Sequence, residues 1–158
     1  MSIWADLKKT TSGWLDGLNA EIKQFKDKPM ATALMATCAL IAAADGNISG
    51  DEKTKMAGFI RANDTLKQYD ASFLIGEFER FAAKLAGGNF VFGKMEALEV
   101  IEKVKDRAGA GRLIVQLGII IGSADGNFDD QEKVVVGELC DVFSLDRKQF
   151  HLEVTAPV

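Results

Sequence analysis

CALIAAADGNISGDEKTKMAGFI, residues 38–60, and LGIIIGSADGNFDDQEKVVVGELC, residues 117–140, are written on one plan. Each opens on an apolar run, stops at the phrase ADGN, and resumes as an amphipathic, charge-rich segment. The phrase stands at residues 44–47 and again at 124–127, an offset of 80 residues. The apolar runs lack strand-like alternation, and both continuations start with acidic residues and then carry apolar ones at helical spacing. The unit is therefore helix, acidic loop, helix, used twice, over residues of about 30–62 and 108–143. A pseudosymmetric bundle is its natural product.

The rest of the chain agrees with an all-α reading. Of 158 residues only two are proline, Pro29 and Pro157. Residues 2 to about 26 carry Trp4, Leu7, Trp14, Leu18, Ile22 and Phe25, spaced by three or four with Thr11 in the gap, which makes one stripe on a helix. Pro29 opens a second helix to about residue 44, apolar nearly all round and so expected at the centre. A third is expected from about 50 to 61. Asp64 caps a short turn, and Asp70 a fourth helix through about 86. Gly87 and Gly88 break the chain. Further helices follow over about 89–105, 108–124 and 129–143, and Asp146 caps a last turn with Phe150 and His151. The expected fold is a compact all-α bundle of about seven helices, a single domain over residues 1–158.

Composition narrows the function. At 47% apolar and 27% charged residues the chain has material for a real core. A net charge of −4 and a pI of about 5.1 argue against nucleic-acid binding, which needs a basic face. Cys38 and Cys140 lie in apolar stretches and read as buried, reduced thiols. The start MSIWADLKKT has no apolar signal core, and residues 30–44 are too short a run to span a bilayer, so the expected location is the cytoplasm. The N-terminal stripe is read as packing on the bundle, with peripheral membrane contact as the alternative; its charge is close to neutral, whereas membrane-surface helices are usually more basic.

Two readings compete for the acidic phrases. In the first, Ser49-x-x-Glu52 and Asp129-x-x-Glu132 are capping boxes, and Gly46 and Gly126 end the preceding helices. This leaves unexplained an aspartate at the negative end of a helix in both copies, and an Asn at 47 and 127. In the second, the loops bind a cation. Asp45 to Glu52 and Asp125 to Glu132 keep the spacing of the second half of an EF-hand loop, with Ile48 and Phe128 in its apolar slot. The first half is missing, because Ile41 and Ala43, or Ile121 and Ser123, stand where its acidic ligands belong. One loop alone cannot supply the six to eight oxygens of Ca²⁺. Two loops brought together offer Asp45, Glu52, Asp125, Asp129 and Glu132, with Lys53 and Lys133 as alternative sources of positive charge.

These phrases, with KDKPMATALMATCALIAAADGNISGDEKTKMAGFI, the FVFGKMEAL stretch and the ending IIIGSADGNFDDQEKVVVGELCDVFSLD, resemble the TerB family of tellurite-resistance proteins. The likeness covers most of the chain. Gly50-Asp51 departs from the family pattern and leaves the first loop poorer than the second. The resemblance implies an all-helical cytoplasmic protein of the tellurium-resistance and stress-response group, working beside other tellurium-resistance proteins. It also implies a metal site drawn from Asp45, Asn47 and Glu52, and from Asp125, Asn127, Asp129 and Glu132, with Ca²⁺ or Mg²⁺ as the expected divalent cation. No catalytic group stands out: His151 is the only histidine, and neither a phosphate loop nor a nucleophile elbow is present. The expected function is a non-enzymatic, metal-dependent interaction module. The alternatives are a carboxylate-metal hydrolase and a ligand-free scaffold.

Overall fold

A computed structural model describes residues 25–44, 48–62, 66–86, 90–123 and 130–150. Among these residues the regular structure is all helical. Six α-helices follow in order: α1 Lys28–Ala42, α2 Gly50–Ala62, α3 Ala71–Leu85, α4 Phe90–Glu102, α5 Ala110–Ser123 and α6 Asp130–Val142, with a closing 3-10 turn at Arg147–Phe150. The helix expected over residues 2 to 26, with Trp4 and Trp14, lies up to residue 24 outside the described residues, as do Asp64 and His151. None of the described helices is long and apolar enough to cross a membrane.

The centre is α1. Its sequence KPMATALMATCALIA is buried on every side from Met30 to Ile41, with Thr32 alone only partly covered. It packs against α3, α4, α5 and α6. A helix without a polar face has nowhere stable to lie except inside such a ring. Burying one large apolar side chain such as Leu34 or Met35 stabilises the fold by roughly 1.5–3 kcal/mol. Thr37, its fully buried polar residue, returns its hydroxyl to the carbonyl of Ala33 at 2.9 Å, so no donor is stranded.

The other helices show one-sided burial. In α3, Leu74, Phe78, Phe81, Ala82 and Leu85 face inward, and Asp70 caps the first turn by accepting the Phe73 amide at 3.1 Å. Helix α6 ends in a Schellman motif: the Leu145 amide reaches the Cys140 carbonyl at 2.8 Å, the Ser144 amide reaches Asp141 at 3.2 Å, and Ser144 takes φ 55°. Phe150, fully buried, pins the closing turn, with the Arg112 guanidinium 5.6 Å from its ring centre.

Three helix boundaries fall two or more residues inside the expected ones, the first being the end of α1 at Ala42 rather than near 44. Helix α4 stops at Glu102 rather than near 105, and α5 starts at Ala110 rather than 108. Between them run three-residue hydrogen bonds at Val104, Lys105, Arg107 and Ala110, and Gly109 takes φ +83°. This turn presents Arg107 to Asp27, and two hydrogen bonds of 2.6 Å join the guanidinium to the carboxylate. Asp27 sits at the N-cap of α1 yet makes no side-chain cap bond, because its oxygens hold Arg107 instead. Beside it, the Tyr69 hydroxyl and the Gln68 amide both donate to the Phe25 carbonyl. Burial pushes the Tyr69 phenol up to about 12.

Helices α2 and α6 are shifted by 80 residues at both ends, but they are seated differently. Helix α6 lies back along α5 and buries Val135, Val136, Gly137, Leu139 and Cys140. The main neighbour of α2 is α3, and it buries only Met56 and Ile60.

Helices α3 and α4 approach so closely at Gly93 that an added Cβ would stand 2.2 Å from the Lys84 carbonyl oxygen. Backbone cannot yield as a flexible side chain does, so Gly93→Ala is expected to lower stability by roughly 1–3 kcal/mol. Gly76→Ala, in the exposed middle of α3 with open space around it, is expected to raise stability by about 0.5–1 kcal/mol. Urea unfolding midpoints of the two variants check both signs. A second expectation concerns acid. The Arg107 hydrogen bonds hold the Asp27 carboxyl below its ordinary 3.8. The Arg80 bonds, helped by the Thr32 hydroxyl at 2.8 Å, hold Glu77 below 4.5. Both depressed values add stability that is present above the ordinary pKa and lost as pH falls through the folded one. The melting temperature should therefore drop between about pH 5 and pH 3, and less steeply in Asp27→Asn/Glu77→Gln.

Candidate functional site

Helix α2 begins as a reciprocal cap. The Glu52 amide donates to Ser49 Oγ at 3.1 Å, and the Ser49 amide donates to Glu52 Oε1 at 3.0 Å. Lys53 then closes the first turn onto the Ser49 carbonyl at 3.1 Å. The capping box expected at Ser49-x-x-Glu52 is thus present, and one oxygen of Glu52 is committed to it. In the second copy Glu132 stands in the first turn of α6, next to Asp130. A carboxylate in a first turn also faces the positive end of its helix dipole.

The two glutamates belong to one place. A cavity of about 350 Å³ opens where four helix ends converge. The last turns of α1 and α5 contribute Ile41 and Ile121, and the first turns of α2 and α6 contribute Glu52 and Glu132. Each pair is related by the 80-residue offset, so equivalent positions of the two copies face the same space. Met56 and Phe59 of α2 supply the rest of the apolar wall, and Lys55 stands at the edge.

Of the seven residues expected to hold a cation, Glu52 and Glu132 are brought to this shared cavity. Asp45, Asn47, Asp125, Asn127 and Asp129 lie outside the described residues. Among the described residues no group of three His, Cys, Asp or Glu side chains is close enough to hold a metal ion. Two glutamates fit a hard cation by ligand type but fall short of six oxygens, so the loops must furnish the remainder of any such site. The spacing of the repeated phrases pointed to Glu52 and Glu132 but not to the apolar wall beside them. A signal for it was present: Ile41 and Ile121 each precede the loop aspartate by four residues, one helical turn, and Met56 follows Glu52 by four.

Neither thiol lines this cavity. Cys38 and Cys140 are both buried and unpaired with each other. Burial pushes the Cys38 thiol well above its ordinary value and the Cys140 thiol up to about 11.

Comparison with known proteins gives a consistent picture. The family model described as "Tellurite resistance protein TerB" matches residues 31–153. The chain is 29% identical over 119 residues to the "Tellurium resistance protein TerB" of Alcaligenes sp, a match that covers 75% of this chain and 97% of that relative. No solved structure matches the chain.

The buried thiols lead to an expectation. With both groups protonated and covered at neutral pH, iodoacetamide should label the native protein slowly and at once after denaturation. Mass spectrometry of the alkylated chain with and without urea checks this, and rapid labelling of the native protein would put a thiolate at the surface.

Proposed function

The chain belongs to the TerB family of tellurite resistance proteins, and from that premise we propose that it is a non-enzymatic interaction module governed by a divalent cation held between its two acidic loops. In this reading Asp45, Asn47 and Glu52 of one loop and Asp125, Asn127, Asp129 and Glu132 of the other supply the oxygens. Carboxylate and amide oxygens are hard donors, suited to Ca²⁺ or Mg²⁺. The cation's role is to neutralise the crowded carboxylates and lock the α1–α2 ends against the α5–α6 ends, which sets the angle at which the helices meet a partner. The expected partners are other tellurium-resistance proteins, and the expected setting is the cytoplasmic stress response. In this reading the pseudo-repeat over about 30–62 and 108–143, within a single domain, is what would bring two half-sites together.

The observation that supports this reading best is that Glu52 and Glu132, 80 residues apart, line one cavity. Two carboxylates around a shared space repel each other unless positive charge lies near. Lys55 at the edge provides some of it. One observation favours the ligand-free scaffold instead: the Ser49–Glu52 capping box accounts for Glu52 with no cation at all.

Glu52→Gln separates the two. Glutamine closes a capping box as glutamate does, but it brings no charge to a cation. Isothermal calorimetry of the chelator-stripped protein with Ca²⁺ and Mg²⁺ is expected to give saturable binding. Affinity should fall about tenfold in Glu52→Gln at unchanged melting temperature, and binding should vanish in Asp45→Ala/Asp125→Ala. Absence of heat with either ion from the folded wild type would leave the scaffold reading standing.

A further inference from the structure

We propose that the cavity between the four helix ends is the docking site of a basic amphipathic segment of a partner protein, which seats an apolar side chain against Ile41, Ile121, Met56 and Phe59 and sets its cations against Glu52 and Glu132. This deepens the interaction half of the reading above and does not depend on the cation.

At this cavity the apolar core comes to the surface. Met56 and Ile121 are among the least covered members of the buried core, at 9% and 8% exposure, and both line this cavity. Phe59 beside them is only half-buried. A concave apolar wall of about 350 Å³ is large enough for a bulky side chain. Methionine in such a wall adapts to differently shaped occupants.

The charge part is a matter of distribution. Residues 44–55 and 124–133 hold seven carboxylates against three lysines, which amounts to the whole formal charge of −4 of the chain. Everything else in the protein is balanced in sign. Both stretches join helix ends that border the cavity, and in its lining Glu52 and Glu132 outnumber the single Lys55, so the site draws a cationic partner and repels an anionic lipid surface. An apolar anchor flanked by lysine or arginine on a helix is the complement of an apolar wall with an acidic rim.

The probe is a fluorescein-labelled peptide of roughly 18 residues, about five helical turns, with leucine on one face and lysine on the other. Its counterpart carries glutamate in place of lysine. Both are titrated with the full chain in chelator, so that loss of cation binding and loss of peptide binding are read separately. The leucine–lysine peptide should bind saturably and the leucine–glutamate peptide should not. Binding should weaken about tenfold in Glu52→Gln/Glu132→Gln, which removes charge and keeps shape and cap. It should weaken as much in Ala42→Leu, which fills the cavity from the last residue of α1 and keeps the charge. Circular dichroism confirms that each variant is folded. The proposal is overturned if the lysine peptide does not bind, or if it binds both variants as well as wild type. It is equally overturned if binding is lost instead in Phe92→Ser, which would move the contact to the exposed Val91, Phe92 and Met95 of α4.

Discussion

A helix with no polar face must be surrounded, and α1 imposes that requirement on the whole molecule. Its buried run from Met30 to Ile41 is satisfied only when α3, α4, α5 and α6 stand around it. Their positions follow from the need to cover it, and so do the places where their ends emerge. The C-terminal turn of α1 and the C-terminal turn of α5, which packs beside it, leave the core at the same end. The acidic phrases begin where these helices stop. Glu52 and Glu132, far apart in the chain, are thus directed to one end of the bundle by the burial of residues that carry no charge.

At that end packing and electrostatics make opposite demands. Four helix ends bring both dipole signs together, and the first turns of α2 and α6 place Glu52 and Glu132 at positive ends. Helix ends taper and cannot interdigitate as helix flanks do, so a cavity remains with Ile41 and Ile121 in its wall. The two copies are seated unevenly around it. Helix α6 is held by five buried residues along α5, while α2 has Met56 and Ile60 and leans on α3. The duplication is close in sequence and unequal in packing, and the site lies on the less tightly packed side.

The opposite end of α1 is tied by polar contacts. Asp27 gives up its cap to grip Arg107 with two bonds of 2.6 Å, and Tyr69 and Gln68 hold the Phe25 carbonyl. A bidentate guanidinium–carboxylate pair is stronger and more directional than a single cap bond. It joins the start of α1 to the turn between α4 and α5, and that turn shortens both helices. Gly93 does similar work for α3 and α4, since only a residue without a side chain lets the Lys84 carbonyl come so near.

The sequence by itself determined what depends on neighbours within a turn or two. Helix type, the order of the elements, the bounds of α2 and α6 to within a residue, the Asp70 cap and the Ser49–Glu52 box all rest on spacings of three and four, where interacting groups are close because the chain makes them so. Burial of Cys38 and Cys140 was legible for the same reason, from apolar runs around each. Tertiary structure alone decided that Glu52 and Glu132 share a cavity, that Ile41 and Ile121 wall it, that Asp27 serves Arg107 rather than its own helix, and that α4 ends at Glu102. Each of these joins groups tens of residues apart. Their separation is set by how side-chain volumes fill the space around α1, a property of the whole packed set that no local spacing records.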